Sequence, residues 1–334
     1  MRIVICGGGS LGHACAGILS NISGVTVDLL TNRPEQWNRQ FKVNLPHGST
    51  LTGELGRITN NPADVIPNAD WVFLCLPAFR VEAEIIKIKT FLSKDTILGA
   101  VFGCTGFFLY AHEHLPSSTK LFAFQRVPYI SRVVEYGKEV NLLGYRDKLI
   151  MAVENIEHKD LFRKQIEEYF SEATELADSF YEVTLSNSNP ILHTGRLYSM
   201  WKDWDGKPFD RCSLFYKEWT LQTSQLEVEM DREFFNLLHK LNVSTAHIST
   251  LLEHYESTDA EGMTFKIRSI ESLSTIFSPM KQVEQGWIPD FESRYFTEDF
   301  PFGLKTIYNL AKEHDVDCPN IEMVLKWGLS KITQ

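Results

Sequence analysis

The sequence predicts an α/β protein in which a doubly wound parallel sheet domain precedes a helical domain. Short apolar runs alternate with helical patterns up to about residue 159, after which long helical patterns dominate and strand-like runs become rare. Such alternation is typical of a parallel sheet covered by helices on both faces. The change of pattern divides the 334 residues into an expected first domain, 1–177, and a second domain, 178–334.

The overall composition excludes several classes of protein. With 43% hydrophobic and 23% charged residues the chain resembles an average globular protein. A net charge of −10 argues against nucleic-acid and anionic-membrane partners. No apolar run approaches the roughly 18 residues of a membrane helix, and the start of the chain lacks the pattern of a signal peptide. We therefore expect a cytoplasmic protein.

The cysteine and histidine patterns predict no metal site. None of the six cysteines forms a CxxC pair, so we expect reduced thiols. His112 and His114 form an HxH pair, but no third ligand accompanies them.

The predicted elements follow directly from apolar patterning. Runs too apolar to face water indicate buried strands. The strands predicted in this way cover 2–6, 25–30, 71–76, 96–102, 120–125 and 148–153. Helical spacing of apolar residues predicts helices over 11–19, 80–92, 159–170, 181–200, 215–240, 245–255, 303–314 and 320–330.

A glycine-rich stretch between the first strand and the first helix indicates a phosphate-binding loop. Gly7, Gly9 and Gly12 have the spacing G-x-G-x-x-G. Gly7 permits a tight turn, Gly9 lets a pyrophosphate approach the backbone, and Gly12 allows the helix to pack closely on the strand. Ser10 and Leu11 begin the helix, whose free N–H groups favour phosphate. The stretch predicts dinucleotide binding.

The residues after the second strand indicate the type of cofactor. NAD-preferring folds place an acid there to bind the ribose, but this chain has Thr31, Asn32 and Arg33, and Asp28 lies inside the strand. Arg33 can bind a 2′-phosphate through two hydrogen bonds, and its neighbours can add neutral ones. The sequence favours NADP over NAD, and a solvated Arg33 is the alternative.

Two further loops follow predicted strands of the first domain. Leu76 and Pro77 stand at the carboxyl end of the strand predicted over 71–76, where loops of a parallel sheet face the ligand crevice. Residues 103–106 follow the next strand and are expected near the nicotinamide. We interpret Cys104 as a small lining residue and not as a redox group.

The second domain carries the candidate catalytic residues. Asn189 and His193 are four residues apart and share a helix face, and Pro190 fits the first turn. A histidine can protonate a developing alkoxide or amine, although a structural interface histidine has the same spacing. Asp299 and Arg294 are predicted in a loop before a helix. Asp299 can cap that helix or orient a histidine, and Arg294 can bind a carboxylate or a pyrophosphate.

Three motifs together resemble the octopine/nopaline (opine) dehydrogenase family over nearly the whole chain: GGGSLG at 7–12, NPILHTGRLY at 189–198 and SRYFTEDFPFGL at 293–304. The resemblance implies a Rossmann domain followed by a helical domain related to that of 6-phosphogluconate dehydrogenase. It also implies NAD(P)H-dependent condensation of an amino acid with a 2-oxo acid through an imine.

The resemblance assigns roles to particular residues. His193 matches the catalytic histidine and Asp299 its partner, while Arg294 matches an arginine on the cofactor pyrophosphate. Asn189 and Gln125 are the expected substrate contacts. Residues 201–208 match no family pattern, so the amino acid stays open. The assembly considered for this chain is a homodimer, and the sequence leaves the number of subunits open.

Two alternatives remain at this point. A ketopantoate-reductase-like or 3-hydroxyacid dehydrogenase would carry a lysine donor on the early second-domain helix, but 181–201 contains none, and Lys202 comes just after it. A non-catalytic NADP sensor could keep the same fold.

Overall fold

The computed structural model describes residues 1–332, the side chain of residue 105 excepted, and the chain forms two compact units. The first unit is Met1–Leu185, and the second begins at Ser186.

The first unit is built on a sheet of eleven strands within the described residues. They are β1 (Arg2–Cys6), β2 (Thr26–Leu30), β3 (Gln40–Asn44), β4 (Thr50–Thr59), β5 (Trp71–Leu74), β6 (Ile97–Ala100), β7 (Lys120–Phe124), β8 (Tyr129–Glu135), β9 (Glu139–Tyr145), β10 (Lys148–Glu154) and β11 (Ala173–Leu176). Its helices are α1 (Ser10–Leu19), α2 (Ala78–Ile88), α3 (Phe107–His114), α4 (Lys159–Phe170) and α5 (Phe180–Thr184). The strand order is β11-β10-β7-β6-β5-β1-β2-β4-β3-β9-β8.

Six neighbouring strands, β7-β6-β5-β1-β2-β4, pair in parallel and form the centre of this sheet. Successive residues of β1 enter different cores: Ile3 and Ile5 belong to one hydrophobic cluster, Val4 and Cys6 to another. Both faces of β1 are thus covered, which explains its uninterrupted apolar sequence. Strand order reverses at β1, so the crevice for a ligand is expected beyond its carboxyl end.

The outer strands depart from the parallel pattern, and four of them, β3, β8, β9 and β11, were not predicted; β4 of the parallel centre was not predicted either. β3 pairs antiparallel with β4, β8 pairs antiparallel with β9, and β9 joins β3 in parallel. The short β11 extends the opposite edge beside β10. In β3 only alternate residues, Phe41 and Val43, are buried, so the strand lacks the continuous apolar run of the central strands.

The second unit is mainly helical. Its helices are α6 (Asn189–Trp201), α7 (Leu221–Lys240), α8 (Leu251–His254), α9 (Ala260–Ser269), α10 (Arg294–Thr297), α11 (Lys305–Glu313) and α12 (Pro319–Ile332), and a hairpin joins β12 (Met280–Val283) to β13 (Gly286–Pro289). Among the described residues, no helix has the length and apolar character needed to cross a membrane.

Three helix predictions were wrong in extent. The helix predicted over 181–200 is divided into α5 and α6. The helix predicted over 215–240 begins only at Leu221, where the Thr220 hydroxyl accepts the Thr223 N–H and caps it. The helix predicted over 245–255 is a single turn from Leu251 to His254, capped by Thr250 and Glu253.

The predicted loop around Arg294 and Asp299 is helical instead. Arg294 begins the short α10, and Asp299–Leu304 forms a π-helical turn that leads into α11. π-helical turns are uncommon and occur frequently at functional sites.

Candidate functional site

The glycine loop after β1 has the geometry of a phosphate site. Gly7 has a φ of +119°, and a Cβ there would lie 2.5 Å from the carbonyl oxygen of Cys75. A Cβ on Gly12 would overlap the carbonyl of Gly7, whereas a Cβ on Gly9 would meet no atom within 4 Å. Gly7 and Gly12 therefore serve the packing of the loop, and the open space at Gly9 suits a ligand.

A cavity of about 480 Å³ lies beside this loop in the first unit. Its lining includes most of the predicted cofactor residues: Gly7, Gly9, Thr31, Asn32, Arg33, Leu76 and Pro77. Ser10, Leu11 and Gly12 lie in the first turn of α1, behind the lining. The volume, the open backbone at Gly9 and the helix N-terminus fit a dinucleotide.

The cavity lining also includes residues that were not predicted, among them Phe79, Arg80, Glu84, Lys87 and Tyr136. The first four belong to α2, directly after Pro77, and continue the strand–loop–helix pattern that predicted Leu76 and Pro77. Arg80 and Lys87 add positive charge to the cavity lining, and Glu84 adds one negative charge. The Glu84 Oε1 atom lies 3.4 Å from Lys87 Nζ.

Tyr136 reaches the cavity from the turn between β8 and β9. The Arg33 guanidinium lies 4.4 Å from the centre of its ring, and its hydroxyl is 3.3 Å from Thr31 Oγ1. Tyr136 therefore contacts two of the residues predicted to recognise the adenosine ribose. No local sequence pattern predicts this contact, because Tyr136 lies in a hairpin at the edge of the sheet, far along the chain from Thr31 and Arg33.

Asp28 has a structural role. It is fully buried, its carboxylate lies 2.5 Å from the Arg2 guanidinium, and it accepts the N–H of Arg57 at 2.7 Å. Its placement inside β2 agrees with the expectation that it lies too early to bind the ribose.

His193 lies on the second turn of α6 between two hydrogen-bonding partners. Its Nδ1 is 2.8 Å from Asp299 Oδ2, and its Nε2 is 3.1 Å from the Tyr216 hydroxyl. Burial raises the pKa of Tyr216 above its ordinary value, so the hydroxyl keeps its proton. A neutral imidazole can donate from Nδ1 to Asp299 and accept from Tyr216.

Aromatic rings enclose the imidazole. The Tyr295 ring lies 4.7 Å from it and the Phe215 ring 5.8 Å, measured between centroids. Only 12% of the His193 side chain and 18% of the Asp299 side chain are exposed. A charged hydrogen bond in such surroundings is stronger than one in water.

Arg196, one turn after His193, holds the segment that carries Tyr216. It is buried, and its guanidinium donates to the carbonyl oxygens of Phe215 at 3.0 Å and Glu218 at 2.9 Å. Burial lowers the pKa of Arg196 to about 10, so it stays charged near neutral pH. No role was predicted for Arg196. Tyr216 was not predicted either, because its hydrogen bond to His193 links distant segments of the chain.

The π-helical turn brings Asp299 beside α6. Pro190 occupies the first turn of α6, as predicted. A Cβ on Gly303 would lie 2.5 Å from Pro190 Cγ, so glycine permits the turn to pack there. Asp299 therefore pairs with His193, and the residue at the N-cap of the π-helical turn is Glu298.

The other predicted residues are dispersed. Arg294 makes a bidentate pair with Glu298, at 2.9 and 2.7 Å, and these hydrogen bonds raise its pKa. Asn189 is exposed at the start of α6, one turn before His193. Gln125 is buried in the first unit, directly after β7.

A parallel sheet with a dinucleotide-type cavity, together with a histidine held by an acid and a tyrosine, defines a nicotinamide-dependent oxidoreductase. Comparisons with known proteins specify this class. Residues 176–332 match the family model described as the NAD/NADP octopine/nopaline dehydrogenase α-helical domain, and residues 3–101 match that of ketopantoate reductase PanE/ApbA.

Relatives extend the match over the whole chain. The opine dehydrogenase of Haliotis discus hannai is 26% identical, with 98% of this chain and 89% of that protein covered. The tauropine dehydrogenase of Arabella iricolor is 25% identical, with 98% and 90% covered. A structure of octopine dehydrogenase with NADH and L-arginine superposes with a TM-score of 0.89 at 23% identity, covering 100% of this chain and 90% of the other.

Residues 176–332 thus carry the α-helical domain of the octopine/nopaline dehydrogenase family, and relatives named opine and tauropine dehydrogenase match nearly the whole chain. The expected family, the fold class and the reaction class, an NAD(P)-dependent oxidoreductase acting on a CH–NH bond, are confirmed.

Proposed function

We propose that the protein joins the amino group of an amino acid to a 2-oxo acid and reduces the resulting imine to an N-(carboxyalkyl) amino acid. The observation that carries this proposal is the position of His193 between Asp299 and Tyr216, in a chain of this family. Structures of octopine dehydrogenase with L-arginine, with agmatine and with pyruvate point to amines and 2-oxo acids as the substrate classes, and they leave the individual amine open.

Residues of the chain itself would supply the proton that the substrate receives. The bound nicotinamide supplies the hydride. In its protonated form, His193 donates the proton of Nε2, the nitrogen that faces the Tyr216 hydroxyl, to the carbonyl oxygen or the imine nitrogen, and it becomes a neutral imidazole. Asp299 fixes the proton of the other nitrogen, Nδ1, and stabilises the imidazolium. Asn189 and Gln125 are proposed to contact the substrates.

The decisive experiment measures NADPH and NADH oxidation by pyruvate with and without a panel of amino acids and taurine. Oxidation that depends on the amine, with an N-(carboxyalkyl) product detected by mass spectrometry, supports the proposal. Oxidation by a 2-oxo acid alone, independent of any amine, would favour the ketopantoate-reductase-like or 3-hydroxyacid alternative. Dinucleotide binding without turnover across the whole panel would favour a sensor.

We further propose that the cofactor is NADPH in preference to NADH. Arg33, Arg80 and Lys87 line the cavity near Thr31, with Glu84 as the opposing charge. Arg33→Gln should raise the KM for NADPH by about 10-fold or more, since a charged hydrogen bond is worth about 1.5–3 kcal/mol. The KM for NADH should stay within about 2-fold, because no phosphate contact is lost.

A matched control is Arg232→Gln, which removes an exposed arginine of α7 that is paired with Glu229. Equal changes in both KM values on replacing Arg33 would contradict the NADPH preference. Arg294 is proposed to contact the pyrophosphate, so Arg294→Gln should raise the KM values for both cofactors alike.

A cytoplasmic location and a homodimer complete the proposal. All six cysteines are free thiols, which suits a reducing compartment. Ile130, Val134 and Leu143 expose apolar side chains on β8 and β9, at the edge of the sheet, and offer a surface for a second copy. Light scattering after size exclusion measures the assembly, and fractionation of cells measures the location.

A further inference from the structure

His13 is fully buried in the first turn of α1 and connects two walls of the dinucleotide cavity. Its Nδ1 lies 2.9 Å from the carbonyl oxygen of Gly9, and its Nε2 accepts the N–H of Gly137 at 2.8 Å. A backbone N–H can only donate, so Nε2 is the acceptor and the ring proton sits on Nδ1, which donates to Gly9. The two contacts define one neutral tautomer.

The surroundings keep this ring neutral and fixed. Trp37 stacks on it with 3.9 Å between the centroids, and Phe41 packs edge-on at 6.0 Å. Burial also lowers the pKa of His13. Protonation would place a second proton on Nε2, facing the Gly137 N–H, and would break the link between the loop and the turn.

The turn that His13 holds has little freedom. Gly137 has a φ of +72°, and a Cβ there would lie 2.7 Å from the Cα of Trp37. Its carbonyl accepts the N–H of Asn38 at 3.1 Å. A second link runs parallel, since the N–H of Val133 in β8 donates to the Ser10 hydroxyl at 3.1 Å. The β8–β9 hairpin is thus tied to the start of α1 at two points.

Tyr136 directly precedes Gly137 and lines the cavity. Its ring faces Arg33 and its hydroxyl faces Thr31, in the segment that binds the adenosine ribose in folds of this type. We propose that His13 is a positioning residue for the dinucleotide, which acts by holding Tyr136 as the wall of the adenosine part of the cavity. The inference rests on the dinucleotide site proposed above.

Two replacements of His13 separate its hydrogen bonds. His13→Gln places an amide oxygen near the position of Nε2 and can still accept the Gly137 N–H. His13→Asn places its amide near the position of Nδ1, so it keeps the Gly9 bond and loses the Gly137 bond. Phe41→Leu is the packing control, because it disturbs the same cluster without touching either bond.

Dissociation constants for NADPH, NADH and 5′-AMP are measured on the full chain. We expect His13→Asn to weaken all three by about 3- to 10-fold, the effect of one hydrogen bond, while His13→Gln and Phe41→Leu stay within about 2-fold. The kcat at saturating cofactor should be unchanged, since the imidazole of His193 is untouched. A uniform loss in all three variants would reduce His13 to a packing role and overturn the inference.

A double-mutant cycle tests whether the effect passes through Tyr136. Tyr136→Ala alone should weaken 5′-AMP binding, and adding His13→Asn to it should have little further effect. An undiminished effect of His13→Asn in that background would overturn the inference. If His13→Asn does not fold, Tyr136→Ala is the test. An unchanged affinity of Tyr136→Ala for 5′-AMP would show that Tyr136 does not contribute to binding, and it would overturn the inference.

The failure of this inference is distinct from failure of the proposed function. A parent protein that binds neither dinucleotide overturns the proposed site and this inference together. A parent that binds both dinucleotides while the asparagine and glutamine variants behave alike overturns this inference alone.

Discussion

Replacing Asp299 by asparagine tests the proposed chemistry with the smallest change of shape. The carboxylate accepts the Nδ1 proton of His193 at 2.8 Å, and both side chains are largely enclosed. An asparagine amide oxygen can still accept that proton. The variant therefore removes the negative charge while a neutral hydrogen bond and the packing of the π-helical turn remain.

The magnitude follows from the difference between the two bonds. A hydrogen bond to a charged group is worth about 1.5–3 kcal/mol and a neutral one about 0.5–1.5 kcal/mol, so about 1–2 kcal/mol is lost. If that loss falls on the imidazolium state, kcat should drop by about 5- to 30-fold, since 1.36 kcal/mol is tenfold. The KM for NAD(P)H should change little, because the residues that line the cofactor cavity are unaltered.

The assay is steady-state NAD(P)H oxidation with saturating amino acid and pyruvate, alongside a thermal melt. Glu292→Gln is the matched control, an acid-to-amide change at an exposed position of the same segment. A kcat for Asp299→Asn within about twofold of the parent, smaller than the loss of one weak hydrogen bond, would refute the reasoning.

Three further predictions concern other parts of the chain. Gly9→Ala should keep a Tm close to that of the parent, since a Cβ there meets no atom within 4 Å. Its KM for the dinucleotide, measured by initial rates, should rise about 10-fold if one backbone hydrogen bond is lost. Gly12→Ala should instead lower the Tm, because its Cβ would overlap the carbonyl of Gly7. Tyr216→Phe should lower kcat by about 2- to 12-fold through the loss of one neutral hydrogen bond. An unchanged kcat would show that the hydrogen bond between Tyr216 and His193 does not support the proton transfer. Burial raises the pKa of Asp231 to about 6, so its contribution to the free energy of unfolding should fall by about 2 kcal/mol as the pH rises from about 4 to about 6. Urea melts across this pH range should show a flatter slope of the free energy of unfolding against pH in Asp231→Asn than in the parent. An identical slope would contradict the raised pKa of Asp231.

Five of the six strands in the parallel centre of the sheet, all but β4, were predictable because they are buried on both faces. Their sequences read as uninterrupted apolar runs, and the Gly7–Gly12 spacing marks the loop between the first of them and α1. The β8–β9 hairpin escaped prediction because its burial alternates or fades along the strand. Its position depends on pairing with β3, which no local pattern encodes.

The candidate catalytic group was only half predictable. His193 and Asp299 stand in motifs that can be recognised along the chain, and the structure brings them together. Tyr216 lies in a segment predicted to be helical. The Arg196 guanidinium binds the carbonyls of Phe215 and Glu218, and α7 begins only after them. A buried arginine that organises a neighbouring segment leaves no periodic signal in the sequence.

The position of Tyr136 also has a consequence for the synthesis and turnover of the chain. Its hydroxyl meets Thr31 across 105 residues, so the cavity gains this wall only after the ribosome has released the whole β8–β9 hairpin. A dinucleotide at about 100 times its Kd would stabilise the folded state by about 2.7 kcal/mol. That free energy is available in full only to chains whose hairpin has reached the phosphate loop. The cellular supply of cofactor would thus set how many newly made chains survive proteolysis, besides setting the rate of the reaction.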